Sequence, residues 1–371
     1  MTTTAQIYSC DDHLDMAAVP TDVWSSRLSS ADAVRGPHVE ERDGQLMWVC
    51  EDRVLGQSGR RKGGNTEALK KLSAIGRAGI EDDGYRAGNA KLRLEDLDRD
   101  GLAASVIYGP LAIGLTISDP ALQSACFGAW NDWAAEDFNQ VAPDRLSLLG
   151  FVPTHSADAA AAELERCAAL GLRGAIIDVF EMDLADRKWD PLWKAGEETR
   201  LPISLHIKAG SWSGLSYQIG KWQAAAFATI MPLQLDEILA TLIFSVVLER
   251  HPALQLVLAE SGISWLPFFL ARADMEWNAL KDKLDYAPEL SPSELFHRNL
   301  YATFEEEWFP EQIEVLGADR CMWASDYPHT DSTFPNSLEV IEETLGVLTD
   351  DDRRKVTATN CAQLYGFPLP A

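Results

Sequence analysis

The chain has 371 residues, 46% of them hydrophobic and 24% charged, the make-up of a folded globular protein and too long for one small domain. Its formal net charge of −25 excludes a phosphate-binding surface for nucleic acid, whose affinity comes from Lys and Arg, and repels anionic membranes. A small-molecule substrate remains open, because a metal ion or a local cation reverses the field inside one pocket.

The N-terminus, MTTTAQIYSCDDHLDM, has neither the basic start nor the apolar stretch of a secretory signal, and no window is expected to reach a membrane span. Cys10, Cys50, Cys126, Cys167, Cys321 and Cys361 include no C-x-x-C pair. That spacing excludes a zinc ribbon, and a disulfide framework does not suit so long a chain. The expectation is a cytoplasmic enzyme with reduced thiols.

Eight short apolar runs follow in chain order: AQIYSCD, AASVIYG, LSLLGFVPT, GLRGAIIDVF, LPISLHIKAG, LQLVLAESG, NLYATFEE and DRCMWASD. Between them lie segments of helical composition, such as SADAAAAELERCAALG with its Ser N-cap and Gly stop, LQLDEILATLIFSVVLERHP and NSLEVIEETLGVL. Strands alternating with helices predict right-handed βαβ units, and eight units close into a (β/α)8 barrel spanning residues 1–371. An open doubly wound sheet is the alternative, but no strand is followed by G-x-G-x-x-G.

Two stretches depart from the bare barrel. Residues ~35–90 contain RDGQLMWVCEDRVLGQ, which predicts a hairpin, and then the loop GRRKGGN; the segment is expected to cap the barrel mouth. After the fifth run come Trp212, Tyr217, Trp222 and Phe227. They are expected to form an aromatic wall, with Trp212 and Trp222 in the substrate pocket. His155, at the end of the third run, is a further pocket candidate.

Polar residues stand where strands end, which is where such a barrel collects its chemistry. The first run ends on Asp11 and His13, the fifth carries His206, the sixth ends on Glu260 and the eighth on Asp326. Asp11 and His13 are two apart and point to one side of a strand. Carboxylate and imidazole together suit Zn²⁺, Mn²⁺ or Fe²⁺ and suit Cu(I) or an iron–sulfur cluster poorly. The Pro328 turn is expected to bring His329 back to the mouth. Asp12 and Asp15 are assigned structural roles, and Asp331, Ser332 and Asn336 the capping of the next helix.

The pieces CDDHLD, LPISLHIKAG, ERHPALQLVLAESGISWLPFFLARAD and MWASDYPHTDSTFPN resemble the amidohydrolase-related family, in the branch of aminocarboxymuconate-semialdehyde decarboxylase and γ-resorcylate decarboxylase. The resemblance spans nearly the whole chain. It implies a metal-dependent (β/α)8 barrel with Asp11, His13, His206 and Asp326 as ligands. One departure stands out: where those decarboxylases commonly end the sixth strand in a catalytic His, this chain has Glu260.

That departure favours a metal-dependent hydrolase. A metal-activated water would cleave an amide, ester, thioester or C–C bond beside a carbonyl, with Asp326 as base and Glu260 and His329 binding or orienting metal, water or substrate. The alternative is a non-oxidative decarboxylase of an aromatic or unsaturated acid, which needs a cation near the departing carboxylate. A third reading, a barrel kept only as a scaffold, would be favoured by loss of a ligand, and all four are present. Zn²⁺ is the first expectation for the ion, with Mn²⁺ or Fe²⁺ open and the count of one or two ions open. The apolar segments LATLIFSVVLE and WLPFFLARADM point to a homodimer.

Overall fold

The computed structural model describes residues 6–60, 73–110, 117–208, 222–305, 307 and 311–370. Every apolar run forms strand: β1 (Tyr8–His13), β5 (Ala104–Tyr108), β6 (Leu146–Leu148) with β7 (Gly150–Val152), β8 (Ala175–Ile177), β9 (Ile203–His206), β10 (Leu256–Ala259), β11 (Leu300–Phe304) and β12 (Cys321–Trp323). Both faces of these strands are buried, which is why their sequences read as continuous apolar runs rather than alternating ones.

All pairings among them are parallel, in the orders β1-β5-β6 and β7-β8-β9-β10-β11-β12. The third run belongs to both sets because it changes partner at Leu149. The Leu149 N–H donates to Ile107 at 2.9 Å, and the Gly150 N–H donates to Gly174 at 3.1 Å. At the other end the His13 N–H donates to the Tyr327 carbonyl at 2.6 Å, and the Asp326 N–H to the Asp11 carbonyl at 3.0 Å. Those bonds join β1 to the segment leaving β12. The architecture is an α/β (β/α)8 barrel.

Outer helices follow their sequence signals. Ser156 caps Ala157–Ala169 by accepting the Ala159 N–H at 3.2 Å, and Gly171 takes the left-handed conformation (φ 78°) just beyond it. LQLDEILATLIFSVVLERHP, expected as one helix, is two: Asp236–Phe244 and Val247–Arg250, with Val246 at φ 57° between them. The break lets Leu239, Leu242, Ile243, Val247 and Leu248 all reach the core. A second correction concerns Trp222–Phe244, which by length and composition could cross a membrane. Here it is interrupted by the 3₁₀ turn Met231–Leu235, which contains Pro232. The apolar side of its second half, Leu235 to Ile243, packs into the barrel core.

The insertion after β1 holds an antiparallel meander of β2 (His38–Arg42), β3 (Gln45–Cys50) and β4 (Arg53–Gln57), one strand more than the hairpin expected. Trp48 pins it: the ring meets Trp24 edge-on at 5.3 Å, and Trp24 stacks on Trp130 of the helix Pro120–Trp133 at 5.9 Å. All six cysteines are buried and unpaired.

The barrel seam is held from outside by Arg93, fully buried on the helix Ala90–Asp100. Its guanidinium donates to the carbonyls of His13 (2.8 Å), Ala87 (3.2 Å) and Tyr327 (3.4 Å), and its Nη2 lies 3.6 Å from Asp12. Asp12, on the opposite side of β1 from Asp11, also accepts from Ser9, Ser105 and the Tyr327 N–H. Its role is therefore structural. Replacing Arg93 with Met would leave a buried carboxylate and three carbonyls short of donors, a loss of about 3–5 kcal/mol in unfolding free energy. Urea denaturation of Arg93→Met checks this, and a loss below about 1 kcal/mol would contradict it.

Candidate metal centre

Asp11 is the hub of the mouth. Its Oδ2 accepts the Thr303 hydroxyl at 2.8 Å and the Glu260 N–H at 2.9 Å, which turns its Oδ1 toward the barrel axis. There Oδ1 lies 3.5 Å from Nε2 of His13 and 3.5 Å from Nε2 of His206. Glu260 Oε2 stands 3.3 Å from the first of these nitrogens and 3.2 Å from the second, and Asp326 Oδ1 lies 3.1 Å from His13 Nε2.

The donors fall into two groups that share His13: Asp11, His13 and His206, and His13, Glu260, Asp326 and His329. The carboxylate oxygens stand 3.1–3.5 Å from the inward nitrogens of His13 and His206. Metal–ligand bonds of roughly 2.1 Å place neighbouring donors about 3.0–3.4 Å apart. Four of the donor atoms, Asp11 Oδ1, His13 Nε2, His206 Nε2 and Asp326 Oδ1, are buried and make no hydrogen bond, a costly arrangement for polar atoms unless a cation is bound. His206 directs Nε2 inward because its Nδ1 is bonded to the Ile207 carbonyl, the arrangement that orients imidazole ligands. The residues present fit a divalent cation.

Two of the carboxylates sit on strained backbone. Glu260 has φ 50° and Asp326 φ 59°, each just past its strand. The left-handed region disfavours side chains by roughly 1–3 kcal/mol per residue. At both positions the turn brings the carboxylate back over the end of the barrel.

His329 does return to the mouth. Its ring stacks on His13 at 4.0 Å between centroids, its Nδ1 lies 2.9 Å from Asp326 Oδ1, and its Nε2 lies 3.3 Å from Asp15. Burial disfavours its charge, yet Asp326 and Asp15 outweigh it and raise the imidazole well above its ordinary value. Asp15 thus positions His329. In the metal-free protein His13 behaves alike: burial and His329 oppose its charge, but Asp326 and Glu260 push it up to about 10.

The donors open onto a cavity of about 440 Å³ whose lining includes Met16, Gly109, Lys208, Met231, Gly56 and Gln57. A second cavity of about 380 Å³ shares Glu260 and Met231 and adds Phe227, Phe304 and Glu305. Burial, with Asp326 and Glu260 nearby, raises the Glu305 carboxyl well above its usual range.

Asp11, His13, His206, Glu260, Asp326 and His329 are thus brought together. Two expected pocket residues are not. Trp222 is 71% exposed at the start of the helix Trp222–Ile230. His155 is exposed and bonded to Ser124. Trp212 and Tyr217 lie outside the described residues. The sequence reading missed Lys208, whose Nζ lies 2.6 Å from Asp178. Its signal was its spacing: two residues beyond His206, it shares that residue's side of the chain.

A family model described as amidohydrolase matches residues 106–367. The γ-resorcylate decarboxylase of Polaromonas sp. (strain JS666 / ATCC BAA-500) is 24% identical over 295 residues, covering 74% of this chain and 86% of that protein. An amidohydrolase of Mycobacterium avium subsp. paratuberculosis K-10 superposes with TM-score 0.78 at 19% identity, over 98% of this chain and 100% of that one. The 5-carboxyvanillate decarboxylase of Sphingomonas paucimobilis gives TM-score 0.70 at 20% identity over 98% and 100%. A dihydroxybenzoic acid decarboxylase of Polaromonas sp. JS666, with bound manganese and 2-nitroresorcinol, gives 0.65 at 16% over 98% and 97%. The relative and the two solved structures among these that are named for a reaction on a stated substrate are decarboxylases, which overturns the hydrolase expected from Glu260.

Because metal must displace the His13 proton, affinity falls as the solution is acidified. Between pH 6 and 9, below the value of about 10 for the metal-free imidazole, the apparent association constant should rise roughly tenfold per pH unit, with close to one proton released per ion. Calorimetry with Mn²⁺ in buffers of different ionisation enthalpy measures both quantities. Binding that is independent of pH would contradict the proton's place on His13.

Proposed function

This chain belongs to the amidohydrolase family, and on that premise we propose that it is a metal-dependent, non-oxidative decarboxylase of an aromatic acid with a hydroxyl beside the carboxylate. The observation that carries the reading is the Asp326–His329 pair, 2.9 Å apart at the wall of the donor cavity. Hydrolysis asks Asp326 to be an open base for water. Decarboxylation asks for a proton held beside the substrate, and a carboxylate in contact with a cavity-facing imidazole supplies that. The likeness to γ-resorcylate decarboxylase across 86% of that protein supports the same choice.

Asp11, His13, His206, Glu260 and Asp326 would hold one ion. The manganese of the structural neighbour and the three oxygen and two nitrogen donors here support Mn²⁺ over the Zn²⁺ first expected, since carboxylate-rich sites suit Mn²⁺. When bound, the ion supplies Lewis-acid charge to the substrate's oxygens.

The chain's own groups move the proton. Although burial opposes it, the neighbouring histidines hold the Asp326 carboxyl below its usual range, so the proton resides on His329 and would pass through Asp326 to the ring carbon that bears the carboxylate. The carbon–carbon bond then breaks, its electron pair stays with the ring, and CO₂ leaves. His329, which Asp326 and Asp15 keep protonated against the effect of burial and which faces the cavity with 28% of its side chain exposed, would then be reprotonated from solvent after handing its proton on. Asp15 keeps that ring in place. Met16 and Met231 give the cavity an apolar wall.

Asp326→Asn removes the proton carrier and should lower kcat for CO₂ release about 10²–10⁴-fold, with the circular dichroism spectrum retained. The assay uses the Mn²⁺-loaded protein and 2,6-dihydroxybenzoate with related hydroxybenzoates. Full activity of Asp326→Asn, or hydrolysis of esters with no CO₂ from any hydroxybenzoate, would refute the assignment.

A further inference from the structure

The donor cavity has a small neighbour. A recess walled by Phe127, Phe151, Val152, Ile176 and Ile177, all buried, also counts His206, Lys208 and Asp178 in its lining. His206 and Lys208 line the donor cavity too, so the two spaces share a wall. The recess has room for about 30 Å³, on a scale where one water needs about 10–15 Å³. That admits two or three heavy atoms and excludes an aromatic ring.

Its walls are braced against collapse. The Phe151 ring meets Phe127 at 5.2 Å and Trp130 at 5.5 Å between centroids. The buried Asn131 grips the same residue by its backbone, accepting the Phe151 N–H at 2.7 Å and donating to the Phe151 carbonyl at 2.9 Å. Lys208 is tied to Asp178 at 2.6 Å. An apolar hollow forfeits packing contacts, so a close-packed interior keeps one only at a cost. Apolar walls favour a guest with neither charge nor dipole.

We propose that this recess is a carbon dioxide site, which receives CO₂ as it leaves the substrate and presents it again in the reverse reaction. CO₂ is linear, three heavy atoms long and without a dipole, which matches both the size and the lining. When the carbon–carbon bond breaks, its electron pair restores the aromatic ring and CO₂ is left against that ring. Until CO₂ moves off, the same path runs backwards. His206 is the donor common to both spaces, so the recess abuts the place where the reacting carboxyl group meets the donors. This role rests on the decarboxylase reading above, but occupation of the recess does not require turnover.

The first test is a crystal structure of the Mn²⁺-loaded protein held under CO₂ pressure. Linear three-atom density among Phe151, Val152 and Ile177 is the expected result; ordered water or an empty recess overturns the proposal. In solution, carboxylation of resorcinol under CO₂ reads the same site. Val152→Leu, which fills the recess, should raise KM for CO₂ at least about fivefold while KM for resorcinol stays within about twofold. An unchanged KM for CO₂ means binding at crystal pressure only and overturns the proposal as well. Should Val152→Leu fail to fold, Ile177→Phe is measured in its place with the same two outcomes. An occupied recess in protein that neither releases nor takes up CO₂ keeps the site and removes the decarboxylase. Turnover with a vacant recess does the reverse.

Discussion

Three carboxylates crowd two imidazoles at the mouth of this barrel, and the repulsion among them is the constraint on which the site depends. Asp11 and Asp326 are almost wholly buried and Glu260 three-quarters buried, where unpaired charge is far more costly than in water. Hydrogen bonds relieve it in part: Asp11 Oδ2 accepts from Thr303 and Glu260 and Asp326 contacts His329, while Asp11 Oδ1 accepts none. The fold nonetheless drives these groups together. Barrel closure hangs on backbone bonds between Asp11 and Asp326 and between His13 and Tyr327, so the seam and the donors are the same residues. A divalent cation would resolve the conflict, and two of the carboxylates, Glu260 and Asp326, stand on left-handed backbone.

Much of this was legible in the sequence for a physical reason. Strands buried on both faces show as unbroken apolar runs, and barrel chemistry gathers at their C-terminal ends, so Asp11, His13, His206, Glu260 and Asp326 could be picked without a structure. The single partner switch at Leu149 was not visible, since a run that changes neighbours has the same composition as one that does not. Nor was the break at Val246, where burial of Val247 and Leu248 overrides helical continuity. Trp222 misled because aromatic residues near a strand end say nothing about which way a later helix turns them. Lys208 was overlooked although its spacing from His206 is that of Asp11 from His13. A lysine two residues past a ligand becomes informative only once Asp178 is seen to fix it.

The reaction was the part least readable from residue types. One set of donors serves hydrolysis and decarboxylation alike, because in both the ion polarises oxygen beside a carbonyl carbon. What differs is the proton's direction. Glu260 in place of a histidine suggested water activation, whereas the partner of Asp326 in space is His329, three residues on. The barrel mouth is therefore asymmetric, with proton-holding groups on the β12 side and a fixed ammonium beside β9.

The claim that a cation completes this centre is tested most directly by a crystal structure of the manganese-soaked protein with anomalous scattering recorded at the metal edge. The account predicts one peak bonded to His13 Nε2, His206 Nε2 and oxygens of Asp11, Glu260 and Asp326. A map with water there at full metal loading, and these side chains turned away from one another, would contradict it.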